Sequence, residues 1–300
     1  MAPLRFGTLV SSTALIAPVL ASIATAQSLQ AVQADLDADF ALDEGKSAAK
    51  EHPLRPLLRM AEEGRERIAR DIRDYTCRII RRERRDGEMR RYEAISAKIR
   101  QAHPAADNAA ATPFSVYLHF DRPSSLAGRE VLFVQGRNAG RMLVRRGGRR
   151  LAYLTTFLAV DSPIALRESR YPVTDIGFER LLARLIEVIH EDLEHGECEV
   201  LFFDGAKVAD RQCTRVLVEH PVRRDHFRYH RAIVFIDKEW QLPLGYASYT
   251  WPEEPGGKPV LMEEYIYTGV EVNVGLTDAD FDRQNPAYRF VRPEELAARD

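Results

Sequence analysis

The stretch LIEVIHEDLEHGEC, Leu185 to Cys198, sets two histidines among acids and ends in a cysteine. Those are the residue types of a zinc protease. In the H-E-x-x-H motif the histidines stand four apart, so both face one side of a helix and share an ion. His190 and His195 stand five apart. Around a helix that is a separation of about 140°, which puts them on opposite flanks of the apolar stripe. The spacing argues against a shared metal, and Glu191, Asp192, Glu194 and Glu197 read as a solvated acidic face. A second pair, in HFRYH, is better spaced. His226 and His230 share a face on a helix, and on a strand they align with Arg228. A metal-dependent hydrolase would still need a third ligand such as Asp225 or His220, which no spacing fixes. The favoured reading is the polar outer face of a strand that runs on into AIVFID, since antiparallel sheets commonly leave one face wet. No metal and no cofactor is expected.

Other chemistries lack their residues. There is no G-x-S-x-G elbow, P-loop or dinucleotide fingerprint. Cys77 sits in an alternating run, a poor setting for a catalytic thiol. Glu253/Glu254 and Glu263/Glu264 are adjacent, so on a strand the members of each pair point to opposite faces. No C-x-x-C marks a zinc ribbon or redox site. Cys77, Cys198 and Cys213 allow one disulfide, whose pairing stays open, or serve as small buried apolar residues. Arginine is abundant. Nine Arg or Lys against four acids lie between Arg78 and Arg100, and six Arg with no acid between Arg137 and Arg150. Such runs either meet an anionic or protein partner, with Arg145 and Arg146 as contact candidates, or keep exposed strands soluble. The chain as a whole is nearly neutral, formally −2, which argues against nucleic acid as a partner.

The elements that carry these residues follow from periodicity. From Pro53, the residues Leu57, Ala61, Gly64, Ile68 and Ile72 recur at helical intervals, predicting an amphipathic helix to about Asp74. At Tyr75 the period changes to two. YTCRIIRRER, an Asp-Gly turn and RYEAISAKIR predict a hairpin. PFSVYLHFDRP is a clean strand with Phe114, Val116, Leu118 and Phe120 on one face. REVLFVQG and GRMLVRR are strands joined by the turn RNAG. Thr155 to Arg170 has no clear period. A helix follows, capped by Asp175, with Phe178, Leu182, Leu185, Ile186, Ile189 and Leu193 in one stripe and Gly196 as its stop. Five more strands lie in CEVLFFDG, QCTRVLVEHP, RYHRAIVFID, LPLGYASYTW and VLMEEYIYTGV.

About nine to ten strands in mostly antiparallel order with two helices predict an α+β fold. The N-terminus carries Arg5, an apolar stretch from about Phe6 to Ile23, and Ala24-Thr25-Ala26, an A-x-A cleavage pattern. The expected organisation is a secretory signal over 1–26, a flexible lead over 27–53, one domain over 54–290 and a polar tail over 291–300. That predicts an exported protein of the periplasm or cell envelope. No later segment has the ~20 apolar residues of a membrane span.

A curved antiparallel sheet with an amphipathic helix on its concave face can enclose an apolar cavity, or be filled by that helix; periodicity does not separate the two. The expected lining is Phe114, Val116, Leu118 and Phe120 on one strand, Ile233 and Phe235 on another, and Leu185 and Ile189 on the helix. Three motifs carry a resemblance. FSVYLHFDRPSSLAGREVLFVQGRNAGRMLVRRGG, RYPVTDIGFERLLARLIE and VNVGLTDADFDRQNPAYRF resemble domain-of-unknown-function family 1571, a family of exported bacterial proteins. More distantly, the order VYLHFDRP, GREVLFVQG and VFIDKEWQLPLGYASYTW looks like the periplasmic lipoprotein-carrier superfamily of LolA, LolB and RseB. That resemblance implies an incurved, incomplete antiparallel barrel with helices on its concave side. It also implies binding of acyl chains or lipoproteins without catalysis. It carries no residue over, since the carriers' lid-anchoring arginine has no clear counterpart here. The expected function is non-catalytic binding of an acyl chain, lipoprotein or other amphiphile. The alternative is an envelope protein-interaction or sensor module using the arginine-rich strands.

Overall fold

The computed structural model describes residues 51–105, 111–148 and 154–290. The expected signal, most of the lead and the polar tail lie outside the described residues. Three helices and twelve strands are labelled in chain order. They are α1 (Arg55–Asp71), β1 (Asp74–Arg85), β2 (Glu88–Met89), β3 (Glu93–Arg100), β4 (Ser115–Arg122), β5 (Glu130–Val134), β6 (Arg141–Arg145) and β7 (Thr155–Ala159). Then come α2 (Pro163–Glu168), α3 (Phe178–His195), β8 (Glu199–Val208), β9 (Arg211–Glu219), β10 (Arg231–Asp237), β11 (Pro243–Thr250) and β12 (Val260–Val272).

The strands form one sheet in the order β7-β6-β5-β4-β3-β1-β12-β11-β10-β9-β8, with β2 paired only to β1. Neighbours along this path run antiparallel. The two ends do not pair, so the α+β sheet is incurved but not closed into a barrel. Two strands escaped the sequence reading. β2 is only two residues long, and β7 is an edge strand whose Phe157 and Leu158 pack on opposite faces, which erases any alternation.

Local chemistry sets the turns. Asp86 and Gly87 both have positive φ, 51° and 80°, as a tight two-residue hairpin turn requires. α1 buries Leu57, Leu58, Ala61, Gly64 and Ile68. α3 buries Phe178, Leu182 and Ile189, and stops at Gly196 in the left-handed conformation. Asp175 does not cap α3. It lies in a 3₁₀ turn at Val173–Asp175, and Gly177 occupies the N-cap position. The cap is supplied from the sheet: the hydroxyl of Tyr75 accepts a hydrogen bond from the Phe178 N–H at 3.0 Å. Gly177 makes that approach possible. Its φ is 108°, and a Cβ there would stand 2.8 Å from the Tyr75 hydroxyl.

Both faces of β4 are buried, against different partners. Val116, Leu118 and Phe120 face inward with Ile95 and Ile99 of β3. Tyr117 faces outward with Leu132 and Leu143, under Phe281, Tyr288 and Phe290. The tyrosine rings of Tyr117 and Tyr288 stack at 3.8 Å. Lys98 pairs with Asp280 and Arg100 with Asp278, each at 2.8 Å. Buried Glu130 accepts from the Tyr117 hydroxyl at 2.8 Å and from the Arg289 N–H at 3.0 Å. The motif VNVGLTDADFDRQNPAYRF is thus a strap that covers the outer face of the sheet.

Candidate binding cavity

A cavity of about 910 Å³ lies between the inner face of the sheet, one flank of α3 and the segment that joins β7 to α3. Its apolar wall comes from alternate residues of four strands. Leu118 and Phe120 of β4, Val131 of β5, Met142 and Val144 of β6 and Leu158 of β7 all point into it. Cross-strand register explains this set: Leu118 pairs with Val131, Val131 with Val144, and Met142 with Leu158. The opposite side is Leu181, Leu185 and Val188, which share one flank of α3. Ile164 of α2 also lines the cavity and stays 62% exposed.

Toward β12 the same wall turns polar. Ile79, Arg81 and Glu83 of β1 stand opposite Tyr267, Tyr265 and Glu263 of β12 on one face. Glu83 and Glu263 are therefore like charges directly opposed across two strands, an arrangement that costs stability unless both are neutralised and hydrogen-bonded. They are 5% and 3% exposed. Glu83 accepts from the Tyr265 hydroxyl, from the Arg170 N–H at 2.8 Å and from Arg81 at 3.3 Å. Glu263 accepts from Tyr171 at 2.9 Å, Ser248 at 3.2 Å and Tyr246 at 3.4 Å. Burial pushes the Tyr171 hydroxyl up to about 12, with Glu263 adding to the shift. Burial also holds Tyr246 and Tyr265 well above the ordinary phenol range. All three are neutral donors at any physiological pH. Burial opposes the charge on Arg170, but Glu263, Tyr171 and Tyr265 together outweigh it and hold the guanidinium above its ordinary range.

The expected lining residues divide. Leu118, Phe120, Leu185 and Ile189 do line the cavity. Phe114 and Val116 face inward but are packed into the filled end of the core, where Phe114 meets Phe133 and Val116 pairs with Ile99. Ile233 and Phe235 lie on the other face of β10. They pair with Ala247 and Gly245, while Ala232 and Val234 point into the cavity. β10 is apolar on both faces, so alternation could not choose between them. Of the two contact candidates, Arg145 shares the outer face with Leu143, half-buried, and donates to the Gly128 carbonyl at 2.6 Å, whereas Arg146 is exposed at the cavity rim.

The histidines are also redistributed. His190 and His195 are both exposed, and His195 stacks on His226 at 3.7 Å. His226 and His230 precede β10 and do not share a strand face. His230 is buried and bonds the His220 carbonyl through Nδ1 at 2.9 Å. Asp192 was expected on a solvated face, yet it is 3% exposed and accepts from the Tyr229 hydroxyl at 2.8 Å. Among the described residues no three His, Cys, Asp or Glu are grouped to hold a metal ion. The cysteines are free. Burial pushes all three thiols up to about 12, so none is a thiolate near neutral pH. Among the described residues no helix is long and apolar enough to cross a membrane.

Sequence reasoning missed the Glu83–Glu263 pair because it weighed Glu263 against its neighbour Glu264. Those two do point apart: Glu264 faces outward, bonded by Arg82 at 2.7 Å and Tyr92 at 2.8 Å. The available signal was polar residues at inward positions of β1 and β12, in phase with Ile79 and Tyr267.

An incurved antiparallel sheet with helices on its concave side defines the fold class. Residues 72–290 match the family described as "Protein of unknown function (DUF1571)", and the chain belongs to that family. A comparison with curated proteins finds no match. Among solved structures, a putative outer membrane lipoprotein-sorting protein domain from Vibrio parahaemolyticus is 12% identical, with 75% of this chain and 96% of that one covered and a TM-score of 0.36. The MucA/MucB complex of Pseudomonas aeruginosa gives 16% identity, 74% and 60% coverage and a TM-score of 0.39. Mycobacterium tuberculosis lipoprotein LppX gives 12%, 76% and 100%, with a TM-score of 0.38. At these scores the likenesses decide nothing about function, which rests on the site.

Proposed function

We propose that this protein is a non-catalytic binding protein of the cell envelope that takes the acyl chain of a lipid, lipoprotein or other amphiphile into the cavity beside α3. The observation that carries the reading is the apolar wall from β4 to β7 facing Leu181, Leu185 and Val188 across about 910 Å³. Cavities of ~300–1,000 Å³ with mostly apolar linings are those that bury small ligands. About ten buried CH₂ groups would gain ~8 kcal/mol before the costs of ordering. The polar end of the wall supports binding rather than reaction. Glu263 is held by Tyr171, Ser248 and Tyr246 and paired with Arg170, and burial keeps the lining tyrosines neutral.

Native mass spectrometry of gently purified protein and titration with a fluorescent fatty acid test the reading. Co-purified lipid or saturable binding is expected. Leu158→Trp, which fills the wall of β7, should weaken fatty-acid binding about tenfold or more, the worth of one or two lost apolar contacts, with the melting temperature nearly unchanged. Absence of both bound lipid and titratable binding would overturn it.

A further inference from the structure

We infer that the rim of the cavity, where the end of β6 meets α2, is a subsite for the anionic head of the bound amphiphile. The inference rests on the acyl-chain reading and extends it to the chemistry of the head. Eight arginines but only four acids line the cavity. Glu263 is matched by Arg170 at 3.1 Å and Glu187 by Arg228 at 3.3 Å. Arg81 and Arg180 pair with glutamates outside the lining. Glu168 is taken by Arg129 at 3.0 Å. Among the described residues, Arg146, Arg167 and Arg184 make no ion pair, and Asp175 is the one lining acid left without a cation. The balance of the lining is therefore positive.

Position decides where the anion sits. Arg184 is engaged, 4.2 Å over the ring of Tyr171. Arg146 and Arg167 are exposed, and Arg129 ties them to one place. Its guanidinium holds Glu168, the neighbour of Arg167, while its backbone packs against the neighbour of Arg146: a Cβ on Gly147 would stand 2.6 Å from the Arg129 nitrogen. Three guanidiniums share one carboxylate there. An ammonium head is repelled by that group, and a neutral head leaves its surplus of charge unanswered. A phosphate monoester, carrying about −1.5 to −2 near neutral pH, matches it, and guanidiniums bind such oxygens by charge-assisted hydrogen bonds. The apolar wall begins at the same point. Val144 precedes Arg146 by two residues on the inner face of β6, Val131 follows Arg129 by two, and the Arg129 guanidinium lies 5.6 Å from the Phe120 ring. On α2, exposed Ile164 stands three positions before Arg167, so the two share a face of the helix at the cavity mouth. A head at Arg146 and Arg167 thus leads its chain inward along Val144 and Val131. The ligand class is an amphiphile with an anionic head, of which an alkyl phosphate fits the charge most closely.

The test is calorimetric titration of the full chain with decyl phosphate, decanol and decyltrimethylammonium, one tail with three heads, and with inorganic phosphate alone. The wild-type protein should bind decyl phosphate about tenfold tighter than decanol or more, the worth of one hydrogen bond between charged groups. High salt should narrow that gap, because the rim is open to solvent. Arg146→Glu with Arg167→Glu should erase the gap, leave decanol binding unchanged and barely move the melting temperature, since both side chains are exposed. The wild-type series and its salt dependence stand even if the double variant fails to fold. Equal binding of decyl phosphate and decanol overturns the subsite and leaves the acyl-chain reading intact. So does tighter binding of decyltrimethylammonium, or a folded double variant that keeps the preference. Inorganic phosphate binding as tightly as decyl phosphate would make the rim a free-anion site and overturn its role as a head subsite. Failure of all three decyl compounds to bind, with no co-purified lipid, overturns the acyl-chain reading and the subsite together.

Discussion

Asp192 shows how a single side chain can be misplaced by its neighbours in sequence. It sits among Glu191, Glu194 and His195, yet it is the one acid of that stretch turned into the core, bonded to Tyr229 and 3.4 Å from His220. Burial pushes its carboxyl up to about 6, against the pull of the Tyr229 hydrogen bond. Burial pushes His220 down to about 4. The two act on stability in opposite directions. The folded protein holds the Asp192 proton more tightly than the unfolded chain does, so that contribution is full below about pH 4 and is lost as pH rises to about 6. The folded protein keeps His220 neutral, so that contribution is full above about pH 6.5 and is lost as pH falls toward 4. Asp192→Asn removes only the first. Its melting temperature, compared with that of the wild type across this window, should drop further behind as the solution is acidified. A gap that narrows with acidification would contradict the burial argument.

At the scale of elements, α3 works through two flanks and its first turn. Phe178, Leu182 and Ile189 anchor it to the core, and Leu181, Leu185 and Val188 face the cavity. Its start is tied to β1 by Tyr75. Gly177→Ala should lower stability by about 1–3 kcal/mol, because the new Cβ needs a disfavoured φ and meets the Tyr75 hydroxyl. Tyr75→Phe leaves the buried Phe178 N–H without its acceptor and should cost about 1–3 kcal/mol. Urea unfolding measures both, and a change under about 0.5 kcal/mol in either, the size of an ordinary surface substitution, would contradict the cap. The stripe and the Gly196 stop of α3 were legible in the sequence, because the 3.6-residue period and a left-handed glycine are local features. The Tyr75 cap was not, because its donor and acceptor lie 103 residues apart.

For the whole molecule, the sheet is loaded on both sides: helices and cavity inside, the C-terminal strap outside. The outer load bears on stability and not on the ligand. Phe281→Ala should lower stability by about 3–5 kcal/mol, the usual cost of emptying a buried aromatic site, while fatty-acid affinity of the folded protein stays the same. A variant that keeps its stability and loses affinity would reverse the assignment. The sequence by itself determined ten of the twelve strands, the two long helices and the α+β class, because period, turn residues and helix stops act over a few neighbouring residues. Only the tertiary structure decided which face of each strand is inner. β4 and β10 are apolar on both faces, so alternation is silent there. It also decided that the sheet stays open, and that Glu83 meets Glu263 across β1 and β12. That pairing is set by the register of strands 180 residues apart, and a register is a property of the folded sheet rather than of either strand.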